Sequence, residues 1–364
     1  MREPHIVHLV PARFGPDGVV GGAERYAEEL ARAMAQRVRT TLVAFGAIER
    51  REQDGALELW TLGGTRYVRG EPHNPISRRL RAALRPATIV HCHQQHILAS
   101  SAAAAFCRMT GRRVFVSDLG GGGWDISAYV RTDSWYHGHL HISEYSRRVF
   151  GHQRYPRAHV ILGGVDAARF RPDRGVARRN VVLYVGRVLP HKGVDDLIRG
   201  LPPGVELLIL GRVSDETYLA DLRMLAAGKP VTFRHDADDG ELLAAYRAAL
   251  CVVLPSVYRT MYGGTTNVPE LLGQTLLEAM ACATPVIGTN VASLPEVIED
   301  NVSGFLVPPN DPAALGERIG WLRDHPVEAG RMGAAGRARI ESRFTWSAVV
   351  DRCLAIYQIP GTDT

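Results

Sequence analysis

The sequence predicts an α/β protein of two doubly wound, Rossmann-like domains with a cleft between them. Three observations carry this. Short apolar stretches alternate with segments of helical periodicity along the whole 364 residues. The alternation is interrupted by a polar Arg/Pro/Asp/Gly joint at 171–180 and then restarts. The unusual residues fall in loops that follow strands, where open α/β sheets bind their ligands.

In the first series, residues 6–10 read as an apolar strand. A Gly-rich turn follows, and then Ala23, Tyr26, Ala27, Leu30 and Met34 mark one helix face. Residues 40–45, 88–92 and 113–117 are further buried strands, with a helix at 97–109. Residues 139–143 lead into a short helix at 144–150. In the second series, strands are expected at 181–185, 205–210, 231–234, 250–255, 285–288 and 304–307. Helices are expected between them at 194–200, 215–227 and 242–248. The chain closes with helices at 312–323, 327–342 and 347–356. Strands alternating with helices predict parallel sheets covered on both faces. The expected division is 1–172, 173–345, and a C-terminal segment 346–364 that crosses back to the N-terminal domain.

Composition excludes several classes. Apolar residues make up 46% and charged residues 22%, the balance of a globular protein. No apolar run reaches the roughly 18 residues of a membrane span, and the N-terminus lacks the pattern of a signal peptide. Cys92, Cys107, Cys251, Cys282 and Cys353 are scattered and odd in number, as in a reduced, cytoplasmic chain. The net charge of +5 comes without a like-charge run, so no nucleic-acid tract is expected.

Six clusters are candidates for chemistry. Gly18, Gly21 and Gly22 precede the first helix, where backbone N–H groups can approach an anion; the same glycines would also make a flexible turn. Gly186 to Gly193 places Arg187 and Lys192 on one loop after a strand. Two such cations suit a diphosphate, although a solvated basic turn would read the same way. Glu270 and Glu278 flank the start of a helix: a loop carboxylate can accept from sugar hydroxyls, and one inside the helix can hold a ribose edge. Asp236-Ala237-Asp238 has the form of a metal-binding D-x-D, but Asp238 and Asp239 stand where helix N-caps stand, so no metal is expected. His91, His93 and His96 follow a strand without a Cys or carboxylate partner and read as lining of the cleft. Gly120 to Gly123 either admits substrate to the backbone or is only a loop.

Together these segments resemble the retaining glycosyltransferases of family 4, a group of the GT-B architecture. The matching stretches are G-G-A-E-R (21–25), V-G-R-V-L-P-H-K-G (185–193), E-L-L-G-Q-T-L-L-E-A-M-A (270–281), P-V-I-G-T…L-P-E-V-I (285–298) and N-V-S-G-F-L-V-P-P-N-D-P (301–312). The resemblance implies that Arg187 and Lys192 hold the donor diphosphate, Glu270 contacts the transferred sugar and Glu278 the ribose. Gly22, Gly186 and the backbone of Gly273, Gln274, Thr275 and Leu276 would close on phosphate and sugar, with His235 beside the nucleotide base. It departs from the family in two places. Leu119 stands where members usually carry a histidine, and residues 257–268 stretch the usual P-S-x-x-E to Pro255-Ser256…Glu270. The stretched form is similar to glycosyltransferases of aminoglycoside biosynthesis.

The function this implies is transfer, with retention, of a sugar from a nucleotide diphosphate sugar, with uridine diphosphate as the expected carrier. No cofactor or metal is needed, and the partners are a small donor and a small hydroxyl acceptor. Acidic residues in the N-terminal domain suggest an aminocyclitol or amino sugar. His93, Asp118, Gly121 and Asp125 are the acceptor candidates; turn and helix capping would explain the acids equally. The alternatives are a nucleotide-sugar 2-epimerase of the same fold and a nucleotide-binding module without catalysis.

Overall fold

The computed structural model of the chain describes residues 3–14, 21–120 and 123–358. They form two compact units: the chain up to Gly164 together with the segment from Trp346, and Val165–Thr345. No described helix is long and apolar enough to cross a membrane.

The described residues of the first unit form ten strands: β1 (His5–Leu9), β2 (Arg39–Phe45), β3 (Arg50–Asp54), β4 (Leu57–Leu62), β5 (Arg66–Tyr67), β6 (Pro75–Ile76), β7 (Ile89–Cys92), β8 (Arg113–Val116), β9 (Gly138–His141) and β10 (Ala158–Val160). Its helices are α1 (Gly22–Ala35), α2 (Leu80–Leu84), α3 (Leu98–Met109) and α4 (Glu144–Val149). The main sheet runs β10-β9-β8-β7-β1-β2-β4-β3 and is parallel except for β3 against β4. β1, β7 and β9 are buried along their whole length, as central strands covered on both faces must be. β3 was not expected. It reads Arg-Arg-Glu-Gln-Asp and is exposed throughout, so it has no apolar period to detect; its charges suit a sheet edge. Asp54 and Leu57 pair across a two-residue turn, in which Gly55 takes φ +58.

The C-terminal helix Trp346–Ile356 completes this first unit. Trp346 meets Tyr26 of α1 edge-on at 5.2 Å, and beyond the helix the Tyr357 hydroxyl lies 2.6 Å from His91 Nδ1. A Cβ on Gly164 would sit 2.4 Å from the Trp346 ring, so that glycine makes room for the indole.

The second unit has six strands: β11 (Val181–Val185), β12 (Glu206–Leu210), β13 (Val231–Arg234), β14 (Cys251–Leu254), β15 (Val286–Thr289) and β16 (Phe305–Val307). All are parallel, in the order β13-β12-β11-β14-β15-β16. The helices are α5 (Val194–Arg199), α6 (Glu216–Leu225), α7 (Asp239–Ala248), α8 (Gln274–Ala281), α9 (Leu294–Val297), α10 (Pro312–Asp324) and α11 (Pro326–Arg343). The strand order reverses between β11 and β14, and ligands bind at such a reversal, beyond the carboxyl ends of the strands.

This unit begins at Val165, ahead of the expected change at 172 and 173. Val165 N–H donates to Phe344 O at 2.8 Å, Phe170 packs edge-on against Tyr246, and Arg337 donates to Phe170 O at 2.7 Å. These partners lie far along the chain, so the polar joint in the sequence marks a surface loop of the second unit rather than its edge.

Candidate functional site

β11 stops at Gly186, whose φ of +155 turns the chain away from the sheet. Gly211 ends β12 in the same manner, and a Cβ there would lie 1.8 Å from Gly186 O. The loop then exposes Arg187, whose carbonyl oxygen accepts from the Tyr184 hydroxyl at 2.8 Å. A single 3-10 turn, Pro190–Lys192, brings Lys192 round, and Gly193 at φ +65 starts α5. A Cβ on Gly193 would meet Pro255 O at 2.0 Å, so only glycine lets this loop close on the end of β14. Asp195 and Asp196 are both buried and bonded to Arg199, and Asp195 also accepts from the Tyr218 hydroxyl at 2.7 Å.

Across the strand-order reversal, Lys192 forms an ion pair with Glu270 and also donates to Pro269 O at 3.0 Å. Both side chains are about 11–12% exposed, so the pair is shielded yet reachable. Ser256 donates to the same carboxylate at 2.9 Å. Burial, reinforced by the Lys192 charge, pushes the neighbouring His191 down to about 4, so it is neutral near pH 7. The motif at 186–193 and the glutamate at 270 therefore form one polar constellation. The sequence contained Ser256 but gave no sign that it orients Glu270.

Gly273 caps α8 at φ +83, and Gln274, Thr275 and Leu276 form the helix's first turn. A Cβ on Gly273 would lie 2.8 Å from Leu294, so this approach also depends on glycine. Glu278 lies one turn further in. Its side chain is buried, and it accepts from the Tyr246 hydroxyl at 2.8 Å. Helical spacing alone did not foretell that partner, which comes from α7.

Asp238 is the N-cap of α7. It accepts from Glu241 N–H, and Glu241 reaches back to Asp238 N–H, forming a capping box. Asp236 is exposed and pairs with Arg234 at 3.4 Å. His235 is exposed as well, with Nδ1 2.7 Å from Gly211 O, at the carboxyl end of β12.

In the first unit, Gly22 is the first residue of α1, and a Cβ there would meet nothing within 4 Å. Gly18 and Gly121 lie outside the described residues. Two expected acceptor residues are placed differently. His93 is buried, its Nε2 2.8 Å from His8 Nδ1, and His91 is buried between Ser117 and Tyr357. His91 lies in the central strand β7 and His93 directly follows it, so both pack in the interior instead of lining a surface. Asp125 is buried too; it caps the 3-10 turn Ile126–Ala128 through Ser127 N–H at 2.9 Å and accepts from Ser101 at 2.5 Å. Asp118 is the remaining carboxylate. It accepts from Gly120 N–H at 3.1 Å and lies 3.8 Å from His96, and burial raises it above the ordinary carboxylate range. Leu119, in place of the family's histidine, is buried.

The inserted stretch 257–268 is structured. Arg259 and Thr265 form an antiparallel bridge, and Thr260 N–H donates to Gly264 O at 2.8 Å. Tyr258 accepts from Ala292 N–H at 2.7 Å, and the Tyr262 hydroxyl donates to Asp221.

Residues 167–339 match the family described as glycosyl transferases group 1, and residues 20–169 match glycosyltransferase family 4. Over 219 residues, 55% of this chain, it is 34% identical to D-inositol 3-phosphate glycosyltransferase of Segniliparus rotundus, covering 46% of that protein. It is 31% identical over 240 residues to a GDP-mannose-dependent monoacylated alpha-(1-6)-phosphatidylinositol monomannoside mannosyltransferase of Corynebacterium glutamicum, covering 60% of this chain and 61% of that one. The chain thus spans about half the length of the curated relatives it matches. Among solved structures, Anabaena HepE with UDP-glucose superposes with a TM-score of 0.73 at 18% identity, covering 97% of this chain and 99% of that one. Sucrose-phosphate synthase of Thermosynechococcus elongatus gives 0.72 at 20% identity and 98% coverage of both. At these identities the structures establish the fold, which is GT-B.

Proposed function

We propose, for a chain that joins a family 4 glycosyltransferase domain to a group 1 glycosyl transferase domain in the GT-B fold, that it transfers a sugar from a nucleotide diphosphate sugar to a small hydroxyl acceptor. The observation that carries this reading is the pairing of Lys192 with Glu270 at the strand-order reversal. An incoming diphosphate would take Lys192 and the exposed Arg187 as counter-charges. Glu270, released from Lys192 but still held by Ser256, would then accept from hydroxyls of the sugar.

Retention would follow from attack on the face that the diphosphate leaves. The acceptor oxygen forms the new bond to the anomeric carbon as the carbon–oxygen bond to the diphosphate breaks. The acceptor proton passes to the departing phosphate oxygen, and Arg187 and Lys192 stabilise the charge that develops there. Removing one preorganised donor to a developing oxyanion costs about 3 to 4 kcal/mol in a shielded site, a setting that Lys192 has and the exposed Arg187 does not.

For the donor carrier we take uridine diphosphate, in keeping with the UDP-glucose bound in HepE; GDP-mannose, named for the Corynebacterium relative, is the competing choice. For the acceptor we take an amine-bearing polyol such as an aminocyclitol, with Asp118 as its counter-charge. The whole reading is tested by release of nucleoside diphosphate from a panel of donors, with and without acceptor. Release that requires an acceptor is expected. Release of nucleotide and free sugar without acceptor would overturn transfer in favour of hydrolysis or epimerisation.

A further inference from the structure

We propose that Asp133, His139 and His152 of the first unit bind a divalent transition-metal cation that pins the segment 123–137 to the sheet. Nothing in the donor chemistry uses these residues. His139 comes from β9, Asp133 opens the 3-10 turn Asp133–Trp135, and His152 follows α4. One ligand atom from each lies within 4.8 Å of the other two, and Asp133 Oδ1 is 3.6 Å from His152 Nε2. Tetrahedral Zn²⁺ with bonds near 2.0–2.1 Å separates its ligands by roughly 3.4 Å, so the site must close by about 1 Å. His139 would leave Asp133 O, which it now meets at 3.2 Å.

Three further features suit a metal. Burial holds His139 down near 4 and depresses His152, so both imidazoles are neutral near pH 7 and offer a lone pair. Two of the three ligands have an outer partner. Binding at His152 Nε2 leaves the proton on Nδ1, and His141 Nε2 sits 3.1 Å from that nitrogen; Gln95 donates to Asp133 Oδ1 at 2.8 Å. Asp133 is 39% exposed, which gives an ion a route in.

His8, His91 and His93 also bring three ligand atoms together. However, both ring nitrogens of His91 are engaged by Ser117 and Tyr357, and His8 and His93 bond each other. That group has no carboxylate and is fully buried, so a divalent charge there would be uncompensated. The ion at Asp133 would instead tie together three pieces of chain: the turn at 133–135, β9 and the turn after α4. Asp125 and its capping turn lie within the segment so fixed.

The test uses the whole untagged chain, titrated with Zn²⁺ by calorimetry and with Co²⁺ by visible absorption. One ion per chain is expected, with a Co²⁺ spectrum of tetrahedral type. Asp133→Asn, which keeps the side-chain volume, and His152→Ala should each weaken binding at least tenfold, and His141→Ala should weaken it about 10- to 100-fold. Zn²⁺ should slow proteolysis within 123–137 in the parent chain and not in Asp133→Asn. Absence of stoichiometric binding, parent-like affinity in both Asp133→Asn and His152→Ala, or loss of the site in His93→Ala would each overturn the proposal.

Discussion

Lys192 and Glu270, 78 residues apart in sequence, form one ion pair, and Ser256 holds the shared carboxylate oxygen. The pair joins the loop after β11 to the loop before α8. If Lys192 serves the diphosphate, Lys192→Ala and Arg187→Ala should each cut kcat/KM by roughly two orders of magnitude, because the leaving group loses a counter-charge. Steady-state release of nucleoside diphosphate measures this. Unchanged turnover in both variants would rule out the diphosphate role.

Gly193→Ala should destabilise the second unit by about 2 kcal/mol or more. Its φ is +65, and the new Cβ would collide with Pro255 O. Gly22→Ala is the contrast, since a Cβ there meets open space and alanine favours a helix. Urea unfolding separates the two, and equal stability loss in both would contradict the packing described at Gly193.

Asp238→Ala should cost about 1 kcal/mol of stability through loss of the capping box, with kcat nearly unchanged. Asp236→Asn should also keep its turnover. A drop in kcat of tenfold or more in either variant, rescued by added Mg²⁺ or Mn²⁺, would mean that the D-x-D binds metal after all.

Asp118→Asn should raise KM for an aminocyclitol acceptor severalfold and leave KM for a neutral polyol unchanged. Burial raises Asp118 above the usual carboxylate range, so its charge is lost earlier than usual on acidification. The amine-bearing acceptor should therefore bind more weakly as pH falls, while the neutral one is indifferent. Equal responses of the two acceptors would defeat the amine assignment.

Acid should destabilise the first unit through His8, His91 and His93. Burial pushes His8 down to about 3 and holds His91 and His93 far below the ordinary value near 6.5. Between those limits the unfolded chain binds more protons, so the contribution is complete above pH 6.5 and fades as pH falls. Calorimetry should show the melting temperature dropping steadily from pH 6.5 towards 4. A flat profile over that window would mean that the three rings are not buried as neutral imidazoles.

Sequence alone determined most of the alternating elements, the two largely parallel sheets and the placing of the candidate motifs in loops after strands, although the apolar strand β4 was not among the elements expected. Local periodicity and loop chemistry are written into neighbouring residues: β13 was legible to the residue, and of Asp238 and Asp239, both read as N-caps, Asp238 is the cap of α7 and Asp239 its first residue. The exposed edge strand β3 was not legible, because a strand paired through its backbone needs no apolar pattern. Three things were decided only by the tertiary structure: which chain-distant residues meet, which polar groups become buried, and where the second unit begins. Tyr246 reaches Glu278 from another helix, and Ser256 reaches Glu270 across a fourteen-residue separation. His93 and Asp125 read as cleft-facing residues because they lie in loops after strands. Their burial depends on the strands and turns packed over them, and on partners such as His8 and Ser101 that supply the hydrogen bonds water would otherwise give.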